Sequence, residues 1–153
     1  MKVYITYDMY EHAEWFDIYQ VTTKMSEVKK DYKKNLFEFL SYGPDDCHSY
    51  QIQIVDLTEE EYKLLSSQVG KVINSTNKEV VYELMERISD DCLWCQYDDT
   101  NCLLCTDGST DIDNLGDSLR TQGLDDDEIE QIYNDEDQYK KQLKKYIDKV
   151  YIL

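Results

Sequence analysis

The chain has 153 residues, 33 acidic and 16 basic, with a formal net charge of -17. That charge disfavours autonomous binding to nucleic acid or to an anionic membrane surface, since both repel it. A hydrophobic fraction of 41% separates the chain from disordered acidic tails, and no apolar run approaches the roughly 18–20 residues that span a bilayer.

Taken in chain order, Val3, Ile5 and Tyr7 alternate with Tyr4 and Thr6, the period-two pattern of a strand. Residues 16–22 predict a second strand, with 8–15 as a long hairpin loop. Ser26 predicts the N-cap of a helix whose apolar face is Val28, Tyr32, Leu36, Phe39 and Leu40, stopped by Gly43 and Pro44. Tyr50, Ile52 and Ile54 predict a third strand. Thr58 and Glu61 form a capping box, Leu57 and Tyr62 the matching staple, and the helix they start runs to about Val69. The fold class expected is therefore α+β, with an N-terminal ββαβα unit whose helices cover one face of a small antiparallel or mixed sheet.

Residues 74–77 read as a connector. Thr76 and Glu79 predict a second capping box, ahead of a helical stripe of Val80, Val81, Leu84, Met85 and Ile88. The stretch 90–108 is irregular. Ile112, Leu115 and Leu119 predict a short helix ending near Gly123. Asp125 and Glu128, with Leu124 and Ile129, predict the start of another. A last helix begins near Asp135, its buried face made by Tyr139, Leu143, Tyr146, Ile147 and Val150. Two regions result, an α+β unit over 1–72 and an acidic helical region over 76–153. One Pro and 5 Gly provide no linker, so the two are expected to pack as one body. Fourteen Tyr against 3 Phe suit a thin core or an interface-rich surface.

The charge is concentrated. Between residues 79 and 137 there are 19 acids and only Arg87 and Arg120, so this stretch carries the whole net charge. Its acids alternate with apolar anchors, which predicts a folded acidic surface. The residues expected to meet a partner are Asp98, Asp99, Asp107, Asp111, Asp113, Asp117, Asp125, Asp126, Asp127, Asp135, Glu136 and Asp137. A merely solubilising face is the alternative. Five lysines after residue 137 are expected to screen part of the acidic stretch.

Cys92, Cys95, Cys102 and Cys105 form two CxxC pairs six residues apart. Two close thiol pairs suit a tetrahedral structural zinc site. Large apolar residues inside each pair suit buried core thiols instead, and a disulfide or redox pair is the third reading. Calcium is not expected, because Leu115 and Gln122 occupy ligand positions in the one loop that begins like an EF-hand. With only His12 and His48, and no phosphate-binding glycine loop or nucleophile motif, no catalytic residue is expected. The absence of an export signal, with 5 Cys, predicts a reduced, cytoplasmic protein.

The acidic stretch, the tyrosine excess and the small size, with the opening residues 2–7 and Trp15 and Phe16, resemble small acidic inhibitors encoded by phages and mobile elements. That class includes DNA-mimic antirestriction proteins and acidic anti-CRISPR proteins. The resemblance implies a non-enzymatic decoy with no cofactor. It would block the nucleic-acid channel of a basic host defence protein, a CRISPR effector or a restriction enzyme, without binding nucleic acid itself. A small zinc-stabilised interaction module is the alternative.

Overall fold

The computed structural model describes residues 1–10, 14–76, 79–90, 92 and 101–153. Strands β1 (Lys2–Tyr10), β2 (Trp15–Thr22), β3 (His48–Asp56), β4 (Val72–Asn74) and β5 (Cys102–Asp107) form one antiparallel sheet in the order β4-β2-β1-β3-β5. Helices α1 (Met25–Ser41), α2 (Glu59–Ser66), α3 (Glu79–Asp90), α4 (Gly108–Thr121), α5 (Asp126–Asn134) and α6 (Glu136–Val150) cover it. The α+β class and the ββαβα order of the first half match the expectation.

The helices cover both faces of the sheet rather than one. Val3, Ile5 and Tyr7 of β1 pack with Phe16 and Ile18 of β2 against Leu65 of α2 and Met85 and Ile88 of α3. Tyr50 and Ile52 of β3 pack on the other side, against Val28, Leu36 and Phe39 of α1, Leu115 and Leu119 of α4, Ile129 of α5 and Leu143 of α6. The alternation of Val3, Ile5 and Tyr7 with Tyr4 and Thr6 does not mark a solvent-facing side of β1. In the fold Thr6 is buried and Tyr4 packs against the α1 core, so β1 is apolar enough on both sides to be central.

A register shift in the β1–β2 pair sets Tyr19 and Gln20 together against Thr6. This bulge lets Asp17, Tyr19 and Gln20 all serve the α1 side, where Gln20 Nε2 donates to Asp31 Oδ2 at 3.0 Å. The sheet joins the two expected regions. β4 closes on β2 at one edge, and β5, from the acidic half, closes on β3 at the other. Neither edge strand was expected: β4 is three residues long, and β5 coincides with the second CxxC pair, inside the stretch read as irregular.

Local signals placed the starts of α2, α5 and α6; the Thr76–Glu79 box expected before α3 spans residues 77 and 78, outside the described residues. The capping boxes of Thr58 with Glu61 and of Asp125 with Glu128 are both formed reciprocally. Ser26 is not an N-cap: it lies inside α1, which begins at Met25 behind Lys24, and the Lys24 amide donates to Thr22 Oγ1 at 3.1 Å. α2 ends at Ser66, short of Val69. α4 is longer than expected because Asp107 caps it before the first apolar residue, accepting from the Thr110 amide at 2.8 Å. The β5–α4 junction requires glycine, since a Cβ on Gly108 would lie 2.1 Å from Cγ of Pro44. Two residues assigned to buried stripes face out instead, Val80 at 69% and Val150 at 51% exposure.

The tyrosines act mainly inside the fold. Tyr50 donates to the Tyr32 carbonyl, Tyr32 to the Tyr151 carbonyl, Tyr133 to the Ile112 carbonyl and Tyr139 to the Leu40 carbonyl. Each ring packs in the core while its hydroxyl donates to a backbone carbonyl, so the buried hydroxyl keeps a hydrogen-bond partner. The α1–α6 contact illustrates the energetics. Leu143 is fully buried, so Leu143→Ala is expected to cost about 2–5 kcal/mol in urea unfolding. Val150→Ala on the same helix should change stability by less than about 0.5 kcal/mol. Equal costs at the two positions would contradict this packing.

Candidate functional site

The acidic surface is built on α4, α5 and the first turn of α6, which contact one another pairwise. Residues 108–137 hold eleven acids and one base, Arg120. Asp113, Asp117, Asp125, Asp126, Asp127, Asp135, Glu136 and Asp137 are exposed, as are Glu128 and Glu130. Helix geometry explains the outward set. In α5 the inward residue is Ile129, and Asp127 lies two residues away, about 200° around the axis. Asp113 and Asp117 stand in the same relation to the buried Leu115 of α4.

Arg120 joins the acids of two helices. Its Nη1 donates to Asp117 Oδ1 of α4 at 2.8 Å and its Nε to Asp126 Oδ1 of α5 at 2.9 Å. Hydrogen bonding to Asp126 first, then to Asp117, raises the guanidinium above its ordinary pKa. One side chain thus brings the acidic flanks of α4 and α5 together.

The expected partner residues differ in what else they do. Asp107 is half-buried and caps α4; burial raises its pKa, but the hydrogen bonds from Thr110 and Ser109 leave it lowered on balance. Asp125 and Asp135 cap α5 and α6. Glu136 accepts from Lys140 Nζ at 2.8 Å, which lowers its pKa. Asp98 and Asp99 lie outside the described residues, as do Cys95 and His12.

Asp111 is a correction. It is only 2% exposed, so its carboxylate is not part of the acidic surface. Oδ1 accepts from Tyr146 at 2.8 Å and from Tyr151 at 2.6 Å, and Oδ2 accepts from Thr106. Burial, followed by these bonds to Asp111, raises the pKa of both tyrosines.

The lysines of α6 do not blanket the acids. Lys140 pairs with Glu136, but Lys144 lines a groove with Lys33 and Lys34 of α1. The charge is therefore separated along α6, with acids at its first turn and lysines toward its end, an order that also suits the helix dipole.

Three of the four motif cysteines converge. The Sγ atoms of Cys92, Cys102 and Cys105 lie within 4.8 Å of one another.

A second buried acidic group was not anticipated from sequence. Asp8 of β1 is 1% exposed and sits opposite Asp17 of β2. Its Oδ2 accepts from Tyr19 at 2.6 Å, while Oδ1 is buried without a hydrogen-bond partner among the described residues. Desolvation pushes its pKa to about 7; the Tyr19 bond opposes this and Asp17 adds to it. Beside it, the His48 ring packs edge-on against Tyr10 at 4.8 Å, and its Nδ1 lies 2.9 Å from Asp45 Oδ1. The His48 ring thus sits in an aromatic corner with Tyr10, Trp15 and Tyr42.

No family model, curated protein or solved structure matches the chain. No helix among the described residues is long and apolar enough to cross a membrane.

The Asp8 environment gives a pH prediction. The folded carboxyl titrates near 7, whereas the unfolded one titrates at its ordinary 3.8. The folded state holds the proton more tightly, so stability falls as pH rises from about 4 to about 7, and the burial cost is complete above that. Asp8→Asn removes the charge and should raise stability by about 1–3 kcal/mol at pH 8. At pH 5 the gain should be smaller. An identical change at both values, measured by urea unfolding, would contradict the assigned shift.

Proposed function

We propose that the chain is a non-enzymatic cytoplasmic inhibitor whose acidic helical face occupies the basic nucleic-acid channel of a host defence protein, a CRISPR effector or a restriction enzyme. The single observation that carries the reading is the Arg120 bridge. It makes the carboxylates of α4 and α5 one surface rather than two unrelated acidic helices.

The charge density supports the same reading. From Asp125 to Glu130 there are five acids in six residues, which at 1.5 Å per residue is one charge per about 2 Å of helix. A duplex presents one phosphate per about 1.7 Å of its axis. Outward carboxylates at this spacing suit the Arg and Lys side chains that otherwise hold phosphates, through charge-assisted hydrogen bonds. Three features favour a held array over a mobile acidic tail: the Asp125 capping box, the Asp135 cap and the anchoring of Ile129 in the core. Less ordering entropy is then lost on binding. Charge of this kind speeds encounter and sets partner choice, and it weakens as salt screens it.

The test is competition for a candidate effector carrying labelled DNA or guide RNA. The chain should displace the nucleic acid at low salt and lose affinity as salt rises, while not binding DNA itself. The variant to use is Asp113→Lys/Asp127→Lys/Glu130→Lys, because these positions face solvent and cap no helix. It should weaken binding at least about tenfold, a loss of about 1.4 kcal/mol. Glu59→Lys/Glu60→Lys, on the distant α2, should leave affinity within about twofold. Equal losses from both sets would indicate general attraction to any acidic surface. Full binding by the triple variant at high salt would overturn the proposal.

A further inference from the structure

We propose that Cys92, Cys102 and Cys105 form a thiolate site for zinc that fastens the end of α3 to the edge strand β5. The proposal rests on these three residues and is independent of the inhibitor reading.

The argument begins with strand periodicity. Side chains three residues apart on a regular strand point to opposite faces, so Cys102 and Cys105 should diverge. They do not. The β3–β5 register shifts between Ile52 and Gln53, so Cys105 pairs with Gln51, Leu104 with Ile52, and Cys102 with Gln53. Leu103 is the extra residue. It and Leu104 pack into the α1-side core, while both cysteines turn to the opposite face. A bulge of this kind spends ladder hydrogen bonding to re-aim side chains, and here it brings two sulfurs to one point.

The third sulfur arrives from the helix. The Gln53 Nε2 donates to the Ile88 carbonyl at 2.9 Å, which seats the last turn of α3 over the same end of β3. The chain then turns at Cys92, whose amide donates to the Ser89 carbonyl at 2.9 Å. Cys92 is buried, with its Sγ 3.4 Å from that of Cys102.

The separations suit a metal. Zinc–sulfur bonds of about 2.3 Å in a tetrahedron put sulfurs about 3.8 Å apart; all three sulfurs fall within 4.8 Å. The 3.4 Å between Cys92 and Cys102 is well beyond the roughly 2.05 Å of a disulfide. Three thiols with no carboxylate in the group select a soft, thiophilic divalent ion over calcium or magnesium. Cys105 is exposed, which gives the ion an entry side, and Cys92 closes the inner side. On binding, the thiols release their protons to solvent and the sulfurs donate to the metal, so affinity rises with pH. No redox change is involved. The other convergent group, Asp45, Asp46 and Cys47, lies on an exposed turn and provides the internal control.

The experiment is a titration of the full chain, prepared metal-free under reductant, with cobalt(II) as probe and zinc as competitor. The expected result is about one ion per chain, with the thiolate-to-cobalt charge-transfer band and tetrahedral visible bands, displaced by zinc. Cys92→Ser, Cys102→Ser and Cys105→Ser should each weaken binding more than about 100-fold, beyond what loss of a mere outer partner costs. Cys47→Ser should bind as wild type. Should a serine variant misfold, alkylation of the wild-type chain decides: zinc should protect Cys92, Cys102 and Cys105, and leave Cys47 reactive. Absence of the charge-transfer band, or alkylation of the three thiols that zinc does not slow, would overturn the site. So would binding that is lost with Cys47.

Discussion

The acidic helices stay attached to the sheet through Asp111, the acid of α4 that points inward. Its two oxygens collect hydroxyls from Thr106 on β5, Tyr146 on α6 and Tyr151 beyond the end of α6. A carboxylate removed from water without donors costs several kcal/mol, and one supplied with donors organises whatever provides them. Here the donors come from β5, α6 and the segment after it, so the edge strand and the C-terminal helix are held around a single group of α4. The burial of Leu115, Leu119, Leu143 and Ile147 completes the contact. With that layer fixed from inside, the remaining acids of α4, α5 and the first turn of α6 are left on its outer side.

Charge and packing are consequently separated along the molecule. The acids gather on α4 and α5, with Arg120 as the one cation among residues 108–137. Of the α6 lysines, Lys144 lines a groove with Lys33 and Lys34 of α1, while Lys149 lies beside Asn114 and Ser118 of α4. The two candidate sites also occupy different parts of the fold: the carboxylates project from the helical layer, while the cysteines sit at the junction of α3 with the sheet edge.

What could be read in the sequence was local. The Thr58 and Asp125 capping boxes, the helix start near Asp135 and, Val150 apart, the stripe of Tyr139, Leu143, Tyr146 and Ile147 each depend on residues within a few positions, and each is present. The class of fold followed from these elements. Asp111 was misplaced among the surface acids, although it precedes Leu115 and Leu119 on the buried stripe of α4, because two of its three partners lie 35 and 40 residues away in sequence. The buried Asp8 escaped notice for the same reason, since its environment is assembled by Tyr19 across the hairpin and Tyr42 at the end of α1. β5 was hidden because its alternation is broken by the same bulge that gathers Cys102 and Cys105. The tyrosine excess was legible as composition, but its use became clear only from the backbone carbonyls that the hydroxyls meet.

The dependence of the acidic layer on Asp111 is tested most directly by a double-mutant cycle between Asp111→Ala and Tyr146→Phe, read by urea unfolding. Each single change removes one side of a buried hydrogen bond, so each should destabilise the fold, and the double variant should lose less than the sum. A favourable coupling energy of about 1–3 kcal/mol is the predicted result. Additive losses, with coupling near zero, would mean that Asp111 does not hold α6 to α4, and would contradict the account.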